Sequence, residues 1–172
     1  MEDFYSFIKE EDEDGSIFYH FITPKNFVYT VYFKVDEYSV YVNDFPLLLQ
    51  SGYAFGFKKS FINKERVKNS LDFKVFDTLY QIILDFISDN GDDTVLLYHC
   101  DTSDEKQLYR SRLFDKWEKR IKDSHLERHC VEVCIDNKDF YLGFITPSKN
   151  PNIESLNSEF ESFSYFIIQP KF

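Results

Sequence analysis

The chain has 172 residues, 43% hydrophobic and 29% charged, with 20 Phe and 12 Tyr against one Ala and 5 Gly. That length favours a single domain, 1–172, able to bury a core without disulfides or metals. The net charge of −10 disfavours broad nucleic-acid binding and attraction to anionic membranes.

Much of that charge is local. Met1 to Asp14 carries seven acids against Lys9 alone, a net of −6, which leaves −4 for the rest. Residues 1–15 are expected to form an acidic, mobile segment, in which Glu10 to Asp14 either move freely or lie over the basic stretch Lys58 to Lys68, "KKSFINKERVK", which sums to +4. Solvated surface explains both charge runs equally simply. The N-terminus has no apolar core of a signal peptide, and no apolar run is long enough to span a bilayer. A cytoplasmic, reducing setting is therefore expected.

Ile17 to Val35 reads as a hairpin of aromatic and β-branched residues with a "TPKN" turn. Phe27, Tyr29, Val31, Phe33 and Val35 form its core face by alternation. "YSVYV" suggests a third strand or an edge, and "NDFPLLLQSG" a loop around Pro46 and Gly52. "YAFGFKKS" is a short strand with Tyr53, Phe55 and Phe57 on one face. Asp72 to Ser88 is the clearest helix: Val75, Phe76, Leu79, Ile82, Ile83 and Phe86 recur at helical spacing, and Asn90-Gly91 stops it.

"TVLLYHC" is apolar on both faces, which places it centrally in a sheet. A charged helix follows, with Thr102 as its cap and Glu105 reaching back. His129 to Thr146 is a second hairpin turning at Asp136-Asn137-Lys138. Asn150-Pro151 opens a last helix, with Asn at the cap, Pro at the first position and a stripe of Ile153, Leu156, Phe160 and Phe163. Its end, "YFIIQPKF", reads as helix or as strand. The expected fold is α+β: a mainly antiparallel sheet of about five to seven strands, with three helices packed on one face.

Chemistry, if present, concentrates after Cys100. On a helical wheel Arg110 falls on the apolar stripe of Leu113, Phe114, Trp117 and Ile121, whereas Arg112 points nearly opposite. A guanidinium facing a core needs carboxylates, carbonyls or an aromatic face. Asp101 and Asp104 lie at the helix start, so Arg110 reads either as a structural buried pair or, with Lys106, as part of an anion site. Asp101 and Asp104 are weak metal candidates, because no third carboxylate is spaced with them. His99 and Cys100 are strand neighbours on opposite faces and read as packed residues rather than as base and nucleophile. Cys130 and Cys134 on one strand lie roughly 13 Å apart, beyond disulfide reach. No cofactor motif is present.

The run "CDTSD", a basic position and "YRSRLFDKW" resembles an uncharacterised bacterial family, domain of unknown function 6169. The resemblance extends from about Phe18 to Phe160. It rests most on Cys100, Asp101, Ser103, Asp104, Arg110, Arg112, Phe114 and Trp117. It implies a fold and no mechanism. The preferred functional reading is a small interaction or regulatory protein with a protein partner and no catalysis. The alternative is a toxin-like or phosphate-substrate enzyme using Asp101, Asp104, Lys106, Arg110 and Arg112.

Overall fold

The computed structural model describes residues 3–35, 38–62, 72–100, 118, 125–135 and 137–168. Seven strands form one sheet in the order β1-β2-β3-β4-β5-β7-β6. They are β1 (Ile8–Glu11), β2 (Ile17–Ile22), β3 (Phe27–Lys34), β4 (Gly52–Phe61), β5 (Val95–Cys100), β6 (Leu126–Ile135) and β7 (Lys138–Pro147). Every neighbouring pair is antiparallel except β4 and β5. Among the described residues the sheet is accompanied by the helices α1 (Pro46–Leu49), α2 (Phe73–Asn90) and α3 (Ile153–Ile168), and Glu118 is also helical. The fold is α+β, as the sequence led one to expect.

Both predicted hairpins form, and each turns through an asparagine in the left-handed region, Asn26 and Asn137, both at φ 61°. Asn tolerates that conformation better than most residues. Phe27, Tyr29, Val31 and Phe33 are buried. Val35, placed with them by alternation, lies one residue past the strand and is 38% exposed.

The helix α2 begins where its chemistry requires. The Asp72 carboxylate accepts from the Lys74 amide at 3.0 Å, and Gly91 closes the helix at φ 98°, a conformation costly for a side chain. All six expected stripe residues are buried. They meet Tyr19, Phe21, Val31, Phe33, Phe55, Leu96 and Tyr98 in one aromatic cluster. Phe86 stacks on Phe33 with ring centroids 3.9 Å apart.

Four elements depart from the sequence expectation. "YSVYV" is a 3-10 turn over Ser39–Tyr41, in which the Tyr41 amide donates to the Tyr38 carbonyl at 3.0 Å rather than to a neighbouring strand. "NDFPLLLQSG" contains α1, with Pro46 in the first turn and Leu48 fully buried. The last helix starts at Ile153 rather than at Pro151, and it stays helical to Ile168. Asn150 is instead a buried turn anchor: its amide donates to Thr146 Oγ1 at 2.9 Å and its carbonyl oxygen accepts from the Asn152 amide at 3.0 Å.

The fourth departure is the helix arrangement. Helices cover both faces of the sheet, not one. Alternation along β5 sends Leu96 and Tyr98 into the α2 cluster, and Val95 and Leu97 into a second cluster. That second core is built from Phe45, Leu48, Leu142, Phe144, Leu156, Phe160 and Phe163.

Part of the acidic start takes part in the sheet, and the basic residues beyond Ile62 lie outside the described residues. Glu10 and Glu11 belong to β1, which pairs with β2. The Tyr5 amide donates to Thr78 Oγ1 at 2.9 Å, the Tyr5 hydroxyl donates to Asp72 at 2.7 Å, and the Phe7 ring meets Tyr19 edge-on. Lys9 pairs with Asp89 of α2. These contacts tie residues 5–9 to α2, and two strands, β2 and β3, lie between β1 and Lys58 and Lys59 on β4.

Candidate functional site

The parallel pair β4–β5 is the irregular place in the sheet. The two strands are in register at only three positions, Gly52–Val95, Tyr53–Leu96 and Ala54–Leu97. Beyond Ala54, β4 continues to Phe61 paired to β3 alone, and beyond Leu97, β5 continues to Cys100 paired to β7 alone. Among the described residues, then, the sheet forks at the carboxyl ends of its parallel strands. Open α/β sheets characteristically bind ligands at that position, in the crevice outside the strand carboxyl ends.

A shallow depression with room for about one water molecule sits at the crotch of the fork. Gly52, Ala54 and Leu97 of the registered stretch line it, together with Leu49 from α1. Lys34, Tyr38 and Ser39 also line it. The Tyr38 hydroxyl lies 3.3 Å from His99 Nδ1, and His99 is exposed at the end of β5. The Lys34 ammonium lies over the Tyr32 ring, 4.7 Å from its centroid, and Lys34, Tyr38, Ser39 and His99 can each donate hydrogen bonds. Such a set suits an anion.

Two tyrosine–glycine pairs flank the fork. Tyr32 on β3 lies across from Gly56, and Tyr98 on β5 lies across from Gly143. In each case a Cβ on the glycine would overlap the tyrosine ring, so both strands need glycine for close approach. Tyr98 is further fixed by Arg128, which donates to its hydroxyl at 2.8 Å and to the Glu118 carboxylate at 2.9 Å. Burial works against the Arg128 charge. The Tyr98 oxygen and Glu118 more than offset that, so the guanidinium pKa lies above its usual value.

On the α2 side, Tyr5, Tyr19 and Tyr53 are raised above the usual phenol value, Tyr5 to about 12. Burial is the largest cause for each. Tyr5 and Tyr19 also donate to carboxylates, Asp72 and Asp85, while for Tyr53 the negative charge of Asp93 adds to the effect. These phenols are structural donors rather than acids poised near neutrality.

The residues singled out from sequence, Asp101, Asp104, Lys106, Arg110 and Arg112, lie outside the described residues, as do Phe114 and Trp117. So does the basic stretch beyond Ile62. What the fold supplies is their point of departure: the chain leaves β5 at Cys100, at the mouth of the fork. Among the described residues no three acidic, His or Cys side chains group as metal ligands. Cys130 is exposed and forms no disulfide.

Sequence reasoning missed Lys34, Tyr38 and Ser39. Tyr38 and His99 are 61 positions apart, and nothing local in "KVDEYSVY" marks a site wall. The available signal was the two-sided apolar character of β5, which located the central strand and hence the place to look.

A family model matches residues 71–162, more than half of the chain, including α2, β5 and the "CDTSD" and "YRSRLFDKW" runs. The chain belongs to the family of unknown function DUF6169. The match begins at residue 71, after the early aromatic hairpin that sequence reading had included in the resemblance. No curated protein matches the chain. Two solved structures of a CoA-dependent acyl-homoserine lactone synthase, BjaI, are similar in fold. One was determined with SAM and isopentyl-CoA and the other with MTA. Each is 11% identical with a TM-score of 0.40, and each alignment covers 89% of this chain and 66% of that one. The chain therefore spans just under two thirds of the synthase's length.

Proposed function

We propose that this protein binds a phosphate-bearing or similarly anionic ligand in the fork between β4 and β5. The observation that carries this is the parting of the parallel pair β4–β5 beside residues that can donate to an anion: Lys34, Tyr38, Ser39 and His99. The basic run that continues from β4, Lys58 to Lys68, supports the same ligand charge. The depression is too small for a whole ligand, so most of the ligand would lie along the strand arms. If chemistry follows binding, the groups placed for it by sequence are Asp101, Asp104, Lys106, Arg110 and Arg112, directly after the mouth.

The test is an NMR titration with adenosine diphosphate as an elongated anionic probe. Amide shifts should concentrate at residues 55–59 and 97–100, and Lys34→Glu should weaken binding by about tenfold. Shifts scattered over the surface, or none at millimolar probe, would dismiss the reading.

The interaction reading keeps one observation of its own. The face of β2 and β3 opposite α2 presents Phe18, Val28 and Tyr32 only half-buried, and Ile22 is 55% exposed. A protein partner is the class that suits this face, since the net charge of −10 disfavours nucleic acid. A stoichiometric partner should be retained by the native chain and lost from an Ile22→Lys, Val28→Lys variant. Equal retention by both would remove this reading.

A further inference from the structure

We propose that the groove between α2 and the edge of β2, which the chain's own residues 5–9 fill, is a binding site for an extended peptide of the pattern aromatic–x–aromatic–x–basic. The proposal stands independently of the anion reading above.

The resident segment shows what the groove recognises. Tyr5, Phe7 and Lys9 alternate along the chain and make their contacts on one side. Tyr5 stacks on Phe21 with ring centroids 6.1 Å apart, and its hydroxyl donates to Asp72 at 2.7 Å. Lys74 of α2 lies over the same ring, 4.9 Å from its centroid. The Phe7 ring meets Tyr19 edge-on at 5.6 Å. The Lys9 ammonium pairs with Asp89 and lies 3.9 Å from Asp85. Backbone bonds complete the docking: the Tyr5 amide donates to Thr78 Oγ1 at 2.9 Å, and Ile8 to Glu11 pair with Ile17 to His20. The groove thus offers a carboxylate acceptor at one end, aromatic rings in the middle and two carboxylates at the other end, all beside a strand edge. Such a surface takes an added strand, with affinity from main-chain bonds and specificity from alternate side chains.

The resident segment holds this groove loosely. Tyr5 and Phe7 are only half-buried and Ile8 is 63% exposed, whereas Tyr19 and Phe21 beneath them are sealed from solvent. The strand β1 has four residues, all exposed, and β2 is its one strand neighbour. It runs into five consecutive acids, Glu10 to Asp14, whose mutual repulsion opposes a closed turn. Segments with few buried contacts and exposed backbone bonds open far more readily than the core. Opening bares Tyr19, Phe21, Asp72, Asp85 and Asp89 together with the β2 edge. Residues 5–9 are then a tethered competitor, which a partner's segment of the same pattern replaces.

The probe is a labelled synthetic peptide of residues 4–10, "FYSFIKE", titrated into the full chain and followed by fluorescence anisotropy. A Phe7→Ala, Lys9→Glu chain, whose own segment is weakened, should bind it about tenfold more tightly than the native chain or better, since a short tether makes the native segment a strong competitor. A peptide carrying Lys9→Glu should bind about threefold more weakly, and adding Asp89→Lys to the weakened chain should reverse that preference. Excess peptide should also speed hydrogen exchange at the native chain's own Tyr5 amide, because its bond to Thr78 is displaced.

Equal affinity of the native and weakened chains overturns the inference, as does no binding to a weakened chain that still melts cooperatively. A native Tyr5 amide that exchanges as slowly as the slowest amides of α2, with or without peptide, overturns it too. That measurement needs no variant and decides the matter if the weakened chain fails to fold. A native chain that sediments as a dimer while the weakened chain is a monomer assigns the groove to a second copy's segment, and overturns the peptide reading.

Discussion

The two halves of the sheet are built on different plans. From β1 to β3 the sheet is one-sided: α2 covers one face, and the other shows His20, Ile22, Thr30 and Lys34 to solvent or to partial burial. From β5 to β7 the sheet is two-sided, with Leu96, Tyr98 and Ile145 under α2 and Val95, Leu97, Leu142 and Phe144 under α1 and α3. The change of plan falls at β4–β5, where strand pairing lapses after three residues. A sheet that acquires a second covering layer partway across has to adjust its twist and spacing there, and the fork is where that adjustment is visible. The candidate site lies on this seam, between a half with a solvent face and a half without one.

The comparison breaks first, if it is wrong, at the aromatic centre of the one-sided half. Phe86 is fully buried, stacked on Phe33 and edge-on to Tyr53 at 4.8 Å. Phe86→Ala should cost about 3–5 kcal/mol in urea unfolding, since a large void opens where only one helix can relax. A loss under about 1 kcal/mol would mean that the α2 face is not the main core.

The two tyrosine–glycine pairs sharpen the comparison, because they repeat one device in both halves. Gly143→Ala pushes against Tyr98, which is 3% exposed and held by Arg128, so the ring has nowhere to go. It should destabilise by about 2–3 kcal/mol. Gly56→Ala pushes against Tyr32, half-buried on the open face, so the ring can swing outward and the cost should stay under about 1 kcal/mol. Thermal melts of the two variants decide it, and equal losses would contradict the one-sided description of β3–β4.

Asp72 is the next step down in size. It caps α2 and accepts from Tyr5, and Asp72→Ala should cost about 1–2 kcal/mol in the same unfolding assay.

The smallest effect is on the alkaline side. Tyr5 is raised to about 12 by burial and by Asp72, so the folded state holds the phenol proton more tightly than the unfolded chain, where tyrosine titrates near 10. That contribution is fully present below about pH 10 and is lost as pH rises toward 12. Tyr19, raised by burial and by Asp85 and Asp89, acts in the same direction. Urea unfolding between pH 9 and 12 should show falling stability, with a shallower fall in Tyr5→Phe. An unchanged slope would place Tyr5 outside the folded contact with Asp72.

The sequence by itself determined the elements whose periodicity is set by their own burial. The α2 stripe, the β3 core face up to Phe33 and the two-sided β5 were legible because each buries residues at its own repeat, 3.6 or 2, regardless of what packs on it. The stop of α2 at Asn90-Gly91 was legible because glycine there serves its own backbone at positive φ. Tertiary structure alone decided the rest. Tyr38 and Ser39 belong to a 3-10 turn, and their place on the wall of the depression depends on β5 lying beside them. The acidic β1 looked like a solvated tail, yet its neighbours Tyr5 and Phe7 find Thr78, Asp72 and Tyr19, partners 67 to 73 positions away for Tyr5. The fork has no sequence signature, because it arises from a mismatch in coverage between two halves of the sheet rather than from any residue within it.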